Sequence, residues 1–480
     1  MYLNDYLKKI PYLSLLSLLA KKQKINVWLV GGILRDAQLR RKKEFLDFDF
    51  CVEKNVFSFV KDFSKKISSK YIILDERQGS FRVIVKRNSK VYTYDFTRIR
   101  GRDLCEDLIL RDFSINTLAI NLNDKKKKII DYFGARGDLK RKTIRAIKEK
   151  VLFDDPLRIL RGFTFTAQYN FTIEPSTLKA MAKYKKFLHN VSGERVTEEL
   201  FKIFASDYSY KVFMLMDRLK IIDEIIPYIQ KSRAVSQGPY HHLGVWKHSL
   251  ETLRKFELLY QRRFRNNKDI FTYLHEELVQ ARKRIQIIKL ACLLHDIGKP
   301  FAKKRLRKKT IFHTHEKIGR DLVEKLSCRL RLSFREKEVL KRLVYWHLRP
   351  GYLADQKVPS QRAIYRFFRD TETEGVGVIL LSLADWRATR GPLVDERKRA
   401  RHERVMLKLI EHYFRQKTKI PLPKIIDGYD VMRKFNLSPS PIIGQILRKV
   451  KEEQALGKIS TKGEAYKVAR KVIVKKRIES

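Results

Sequence analysis

The sequence predicts an α+β protein: a small α/β head followed by a long all-helical neck, body and tail. Two observations carry this. Strand patterns of period two crowd the first third and fade after about Val151. Beyond that point apolar residues recur at three and four, as in LRILRGFTFTA, EELFKIFA, KLACLLHDIGK and ILRKVKEEQALGK. A chain of 480 residues has room for several domains. The expected boundaries are 1–145 for the head, 146–235 for the neck, 236–400 for the body and 401–480 for the tail.

Composition narrows the function classes. The chain has 105 Lys+Arg against 54 Asp+Glu, a formal charge of +51. Such an excess points to a polyanionic partner, since self-repulsion otherwise only destabilises a compact state. A hydrophobic share of 44% excludes a disordered chain. The apolar run from Val376 to Ala384 is too short to span a membrane. The N-terminal apolar stretch carries Asp5 and early lysines and lacks a cleavage site, so it does not read as a signal peptide. Cys51, Cys105, Cys292 and Cys328 are far apart, without a CxxC pair. That argues against disulfides and a thiolate zinc site, and for a reducing, cytoplasmic setting.

In the head, INVWLVGG (Ile25–Gly32) reads as a buried strand ending in a tight turn. Gly31 and Gly32 there let backbone N–H groups approach a phosphate, and Arg35 follows. A plain turn would look the same. FLDFDFCVE alternates apolar and acidic residues, so Asp47 and Asp49 share one face of a strand. Adjacent carboxylates repel unless a cation lies between them, and hard oxygen ligands suit Mg²⁺. SFRVIVKR and KVYTYDFTRIR read as further strands, the second offering Asp95 as a third carboxylate. Three acids around two metals suit in-line phosphoryl or nucleotidyl transfer. In LRDFSIN, Arg111 could reach a triphosphate, while Asp112 and Asn116 can simply start a helix.

LFDDPLRILRGF opens a helix at Pro156, with Asp155, Arg158 and Arg161 spaced along one face. Cytosine and adenine each show an exocyclic amine beside a bare ring nitrogen. An Asp acceptor beside an Arg donor matches both bases and mismatches guanine and uracil. The plain alternative is an ordinary helical salt bridge.

In this order GGILRD, FLDFDF, LRDFSIN, DYFGARGDL, DDPLRILRGF and GERVTEELFK resemble the bacterial class II tRNA nucleotidyltransferase and poly(A) polymerase family, over about residues 25–480. The resemblance implies a nucleotidyltransferase head, a neck that holds the base, and a body and tail that hold tRNA. It implies CTP and ATP as substrates, Asp47 and Asp49 as metal ligands, and Gly32, Arg35 and Arg111 as nucleotide-binding residues. Asp155 and Arg158 resemble the base-pairing pair, with Arg161 beside them. The sequence departs from the family at Leu110, Asp154 and Thr164. The segment between Asp95 and Glu106 is also short, which resembles enzymes that add only two cytidines. Complete CCA addition, partial addition and poly(A) synthesis all remain compatible.

The body holds a second constellation. His248, adjacent His295 and Asp296, then His315, His347 and Asp385 follow in the order H…HD…H…H…D, which resembles HD-domain metal-dependent phosphohydrolases. Imidazole with carboxylate suits Mn, Fe, Ni or Zn. His248, His295, Asp296 and Asp385 are the expected ligands of one ion, with His315 and His347 serving a second. Each His could instead be a satisfied core residue. His241, His242 and His313 are expected at the surface or the RNA side. A phosphohydrolase with a degenerate head, or a non-catalytic RNA-binding protein, are the readings from other classes.

Overall fold

The computed structural model describes residues 2–41, 46–238, 242–306, 309–356, 358–391, 395–417 and 423–479. The chain forms two compact units, residues 1–225 and 226–480.

The first unit is built on a seven-stranded sheet: β1 (Val27–Val30), β2 (Asp47–Val52), β3 (Tyr71–Asp75), β4 (Ser80–Arg87), β5 (Lys90–Arg98), β6 (Ala119–Asn121) and β7 (Ile129–Ile130). Their spatial order is β3-β4-β5-β2-β1-β6-β7. Only the β2–β5 pairing is parallel, and it sets Asp49 opposite Asp95. Side chains alternate across these strands. Phe48, Phe50, Tyr94 and Phe96 are buried on one face. There Phe59 and Phe63 of helix Val56–Lys66 pack on them, with ring centroids 5.5 to 5.8 Å apart. Asp47, Asp49 and Asp95 are therefore left on the other face. The expected strands at INVWLV, DFDFCV, SFRVIVKR and KVYTYDFTR are all present. β3 went unrecognised because Ile72, Ile73 and Leu74 are exposed and follow no alternation.

Beyond the sheet come helices Leu157–Tyr169 and Gly193–Phe204. Leu157, Leu160 and Phe163 supply the buried stripe of the first. Among the described residues the body is almost all helix, interrupted by two short antiparallel strand pairs, Glu277–Val279 with Arg282–Lys283 and Lys304–Leu306 with Lys309–Ile311. The basic stretch RRFRNNKD, whose composition suits a loop, spans the end of a π-helical turn and the start of helix Lys268–His275. Helix Gly375–Ala388 carries the apolar run from Val376 and is buried nearly throughout. Among the described residues no helix is long and apolar enough to cross a membrane. The cysteines are unpaired.

The C-terminal helices Gly428–Phe435, Pro441–Ala455 and Lys462–Glu479 share their own apolar cluster around Val431, Ile446 and Ala465. Arg362, Arg366 and Arg369 line one face of helix Gln361–Thr371. Arg366 grips Glu452 with a two-pronged hydrogen bond, 2.9 Å on each prong. Arg362 and Lys449 lie 3.0 and 3.1 Å from the same carboxylate. Burial works against the Glu452 charge, but Arg366 and Lys449 outweigh it and hold the carboxyl down at about 2. A depressed carboxyl stabilises the fold above its unfolded value and loses that contribution as pH falls through the folded one. Glu452→Gln should therefore lower the melting temperature at pH 7 by the equivalent of about 1 kcal/mol, a figure reduced for the solvent around the arginines. The gap from the parent should close between about pH 4.5 and 2 in calorimetric scans.

Candidate active site and a second metal-binding cluster

The turn after β1 forms one wall of the head site. Gly31 has φ +81°, and a Cβ there would sit 3.1 Å from Asp49 Oδ2 and 3.4 Å from Arg111 Nη1. Glycine is thus required both for the turn and for the close approach. The turn leads directly into helix Gly32–Gln38. Asp47 and Asp49 lie exposed on the same face of β2. Asp49 is nonetheless crowded by protein atoms, and this desolvation pushes its carboxyl up; Arg111 opposes the shift, and Asp95 and Asp47 add to it. A cation between these acids would relieve that repulsion, so the donor set fits a divalent ion.

Asp95 faces Asp49 across the strand pair, as expected, but it already has a partner. Arg82 of β4 donates from Nε to Oδ1 at 2.8 Å and from Nη2 to Oδ2 at 2.7 Å. Arg111 reaches Cys51 Sγ at 3.3 Å and lies 3.7 Å from Asp107. Arg35 is buried rather than open. Its Nη1 donates to Asn116 at 2.6 Å, and its guanidinium stacks over Tyr169 at 4.7 Å. It therefore ties the glycine-turn helix to helix Leu157–Tyr169, and Tyr169 strengthens the tie with a 2.9 Å hydrogen bond to Asp36.

Asp155 stands at the break before Pro156, and its Oδ1 accepts from the Leu157 amide at 3.3 Å. The three residues expected on one face are each held by a different partner. Asp155 Oδ2 pairs with Arg195 at 2.9 Å. Arg158 donates to the Val151 carbonyl at 3.2 Å. Arg161 lies 2.9 Å from buried Asp112. Burial raises Asp112, but Arg161, Asn116 and the Phe113 amide outweigh it, leaving the carboxyl below its usual range. Asp112 is more than a helix starter. Thr164 is buried and donates to the Glu199 carbonyl at 3.3 Å, so it packs rather than contacts a ligand. Arg82, Arg195 and the Asp112–Arg161 pair escaped the sequence reading, because each depends on register or tertiary packing.

In the second unit all six expected residues converge. His295 closes helix Arg284–Leu294 and His347 closes Phe334–Trp346, while His315 opens His315–Arg329. His248 and Asp385 come from helices Val245–Leu259 and Gly375–Ala388. Nδ1 of His295, His315 and His347 lies 3.0, 2.7 and 2.7 Å from the carbonyls of Cys292, Phe312 and Val344. A carbonyl only accepts, so Nδ1 donates to it, which turns Nε2 towards the cluster. Those Nε2 atoms gather on Asp296, at 3.4 Å for His295 and His315 and 3.7 Å for His347. His248 Nε2 lies 2.8 Å from Asp385. Two ligand triads result, His248–His295–Asp296 and Asp296–His315–His347, which share Asp296. Burial, with the neighbouring rings, lowers His347 to about 3, which keeps it neutral as a ligand must be. His242 and His313 are exposed outside the cluster, and His241 lies outside the described residues.

Three family models match in order along the chain. They are "Poly A polymerase head domain" over residues 27–145, "Probable RNA and SrmB- binding site of polymerase A" over 170–232, and "HD domain" over 245–390. The chain thus carries in order a poly(A) polymerase head domain, an RNA-binding segment of that type and an HD domain. It is 28% identical over 449 residues to an A-adding tRNA nucleotidyltransferase of Deinococcus radiodurans, covering 91% of this chain and 93% of that one. It is equally identical, over 452 residues, to a CC-adding tRNA nucleotidyltransferase of Thermus thermophilus, covering 91% of each. Its fold is shared with a CCA-adding enzyme solved with ATP, at TM-score 0.65 and 19% identity over 100% of this chain and 98% of that one. A Thermotoga maritima CCA-adding enzyme in complex with tRNA matches at TM-score 0.62 and 20% identity, over 96% and 94% of the chains. Membership of these head and HD families brings dependence on divalent metal.

Gly298, just past Asp296, tests how tightly the cluster is built. A Cβ there would collide with the His315 carbonyl and the Gly319 amide, which are backbone atoms of the neighbouring helix. Gly298→Ala should destabilise the protein by about 1–3 kcal/mol. It should also lower bound transition metal, measured by elemental analysis after gel filtration.

Proposed function

We propose that the chain is a template-independent tRNA nucleotidyltransferase that adds C, A or both to tRNA 3′ ends from CTP and ATP and releases pyrophosphate. The observation that carries this is the juxtaposition of Asp47 and Asp49 with the Gly31 turn and Arg111 on one side of the sheet. The related A-adding, CC-adding and CCA-adding enzymes support the same reading. Relatives adding different nucleotides match equally well, so identity does not choose among C, A and both.

The head residues divide the work by chemistry. Asp47 and Asp49 hold Mg²⁺, which supplies positive charge to the phosphoryl group in flight. Backbone N–H groups at Gly31 and Gly32, with Arg111, bind the triphosphate. The RNA 3′-oxygen attacks the α-phosphate in line, and the bond to pyrophosphate breaks. Asp155 accepts from the exocyclic amine of cytosine or adenine, and Arg158 donates to the ring nitrogen. Arg195 aims the Asp155 carboxylate, while Asp112 holds Arg161 beside the pair. Arg35 positions the glycine turn from behind rather than touching nucleotide. The finer division at 145/146, 235/236 and 400/401 assigns the base to the neck and tRNA phosphates to the basic body and tail.

The HD cluster supports a second activity, a metal-dependent phosphoesterase. Its shared Asp296 and imidazole ligands suit Mn, Fe, Ni or Zn, which would activate water there.

Asp47→Ala should abolish nucleotide incorporation while leaving tRNA binding nearly unchanged in filter-binding assays, and should spare phosphoesterase activity. Asp296→Ala should do the reverse. A fully active Asp47→Ala protein would remove the head assignment. Arg158→Ala should lower the preference for CTP and ATP over UTP and GTP by about 10- to 100-fold, with little change in RNA affinity. Sequencing of products made from truncated tRNA with all four nucleotides reads this directly.

A further inference from the structure

Three neighbouring strands set charged side chains in one row across the head: Arg82 opposite Asp95 on β4 and β5, and Asp95 opposite Asp49 on β5 and β2. Asp95 would complete a three-carboxylate metal site if its oxygens were available. Each of them instead accepts a hydrogen bond from Arg82, at 2.8 and 2.7 Å in a planar fork, and the guanidinium charge held beside them opposes the approach of a metal ion. Charge-assisted forks of this kind are strong and fix both partners. Arg82 also feels Asp47 and Asp49, and its guanidinium is held more firmly protonated by all these acids. The fork uses Nε and one hydrogen of Nη2, which leaves guanidinium N–H groups over. The Arg82 side chain is 40% exposed against 25% for Asp95, so the arginine is the more accessible of the two.

We propose that Arg82 is a resident cation of the catalytic face, that Asp95 anchors it instead of ligating metal, and that its spare N–H groups bind the triphosphate. This rests on Asp47 and Asp49 holding one divalent ion. A guanidinium then provides charge that would otherwise call for a second ion on that face. It is fixed in place before the nucleotide arrives, so no reorganisation is needed as negative charge grows on the departing pyrophosphate. It also explains how a strand face with Asp47, Asp49 and Asp95 stays folded without metal: one of the acids is always neutralised.

The test counts Mn²⁺ bound by the full chain with CTP and no RNA, using electron paramagnetic resonance. Ions in the HD cluster are common to all variants and cancel in the differences. Asp95→Asn should bind as many ions as the parent. Arg82→Gln should bind one more, because Asp95 is released to ligate. The double variant should return to the parent count. In steady-state assays Arg82→Gln should raise the KM for CTP roughly ten-fold, and Arg82→Lys should recover part of that. Loss of an ion in Asp95→Asn would overturn the proposal, because Asp95 would then be a ligand. An unchanged ion count in Arg82→Gln would overturn it as well. Asp47→Asn checks the premise: it should lose one ion, and a protein that loses none overturns the head metal reading together with this proposal.

Discussion

The alternation of side chains along β2 and β5 is the constraint from which the head site follows. Phe48, Phe50, Tyr94 and Phe96 must pack under helix Val56–Lys66. With period two, Asp47, Asp49 and Asp95 then have no choice but the opposite face. A slip of one residue would drive the acids into the aromatic core, where an unpaired carboxylate costs several kcal/mol. The same aromatic packing that stabilises the sheet therefore holds the reactive face in register. The placement of the acids here is a by-product of core geometry, and Arg82 and Arg111 offset part of the repulsion that this placement creates.

The glycine turn and helix Leu157–Tyr169 are joined by a different device. Arg35, Asn116, Asp112 and Arg161 form a chain of polar contacts, from 2.6 Å at Arg35–Asn116 through 2.9 Å at Asn116–Asp112 to 2.9 Å at Asp112–Arg161. Arg35, Asn116 and Asp112 are buried. Breaking such a chain strands a buried charge, so its members move together or not at all. The glycine turn and helix Leu157–Tyr169 are thereby kept at a set spacing, although one follows a strand and the other lies beyond the sheet.

Much of this was legible in the sequence because it depends on short-range periodicity. The four strands around DFD and the helix after Pro156 rest on spacings of two, three and four, whereas the H…HD…H…H…D residues lie tens of residues apart and were legible only through their order as a resemblance. What was not legible rests on register. Arg82 lies 13 residues from Asp95 and Arg195 lies 40 from Asp155, and nothing local marks either pair. Arg35 was readable as a phosphate ligand from its place after the glycines, but the packing of Tyr169 and Phe165 around it buries it. The exposed apolar run Ile72–Leu74 hid an edge strand for the opposite reason: its side chains pack against little, so burial imposes no pattern.

The two metal-binding arrangements solve the same electrostatic problem in contrary ways. In the head, carboxylates sit at the rim of a sheet and repel each other in partial contact with solvent, so affinity for a hard ion comes from charge. In the HD cluster the donors are almost wholly buried, and charge alone would be ruinous there. Imidazoles supply most of the ligands instead. Their orientation comes from helix ends, where carbonyls of Cys292 and Val344, in the last turns of their helices, take the ring N–H. Asp296 is the one shared anion, and Lys299 at 2.6 Å balances it. A borderline ion bound mainly by nitrogen and a hard ion bound by oxygen exchange poorly between such sites. A strand rim and a set of helix termini thus offer different donor atoms within one chain, oxygen in the head and mostly nitrogen in the HD cluster.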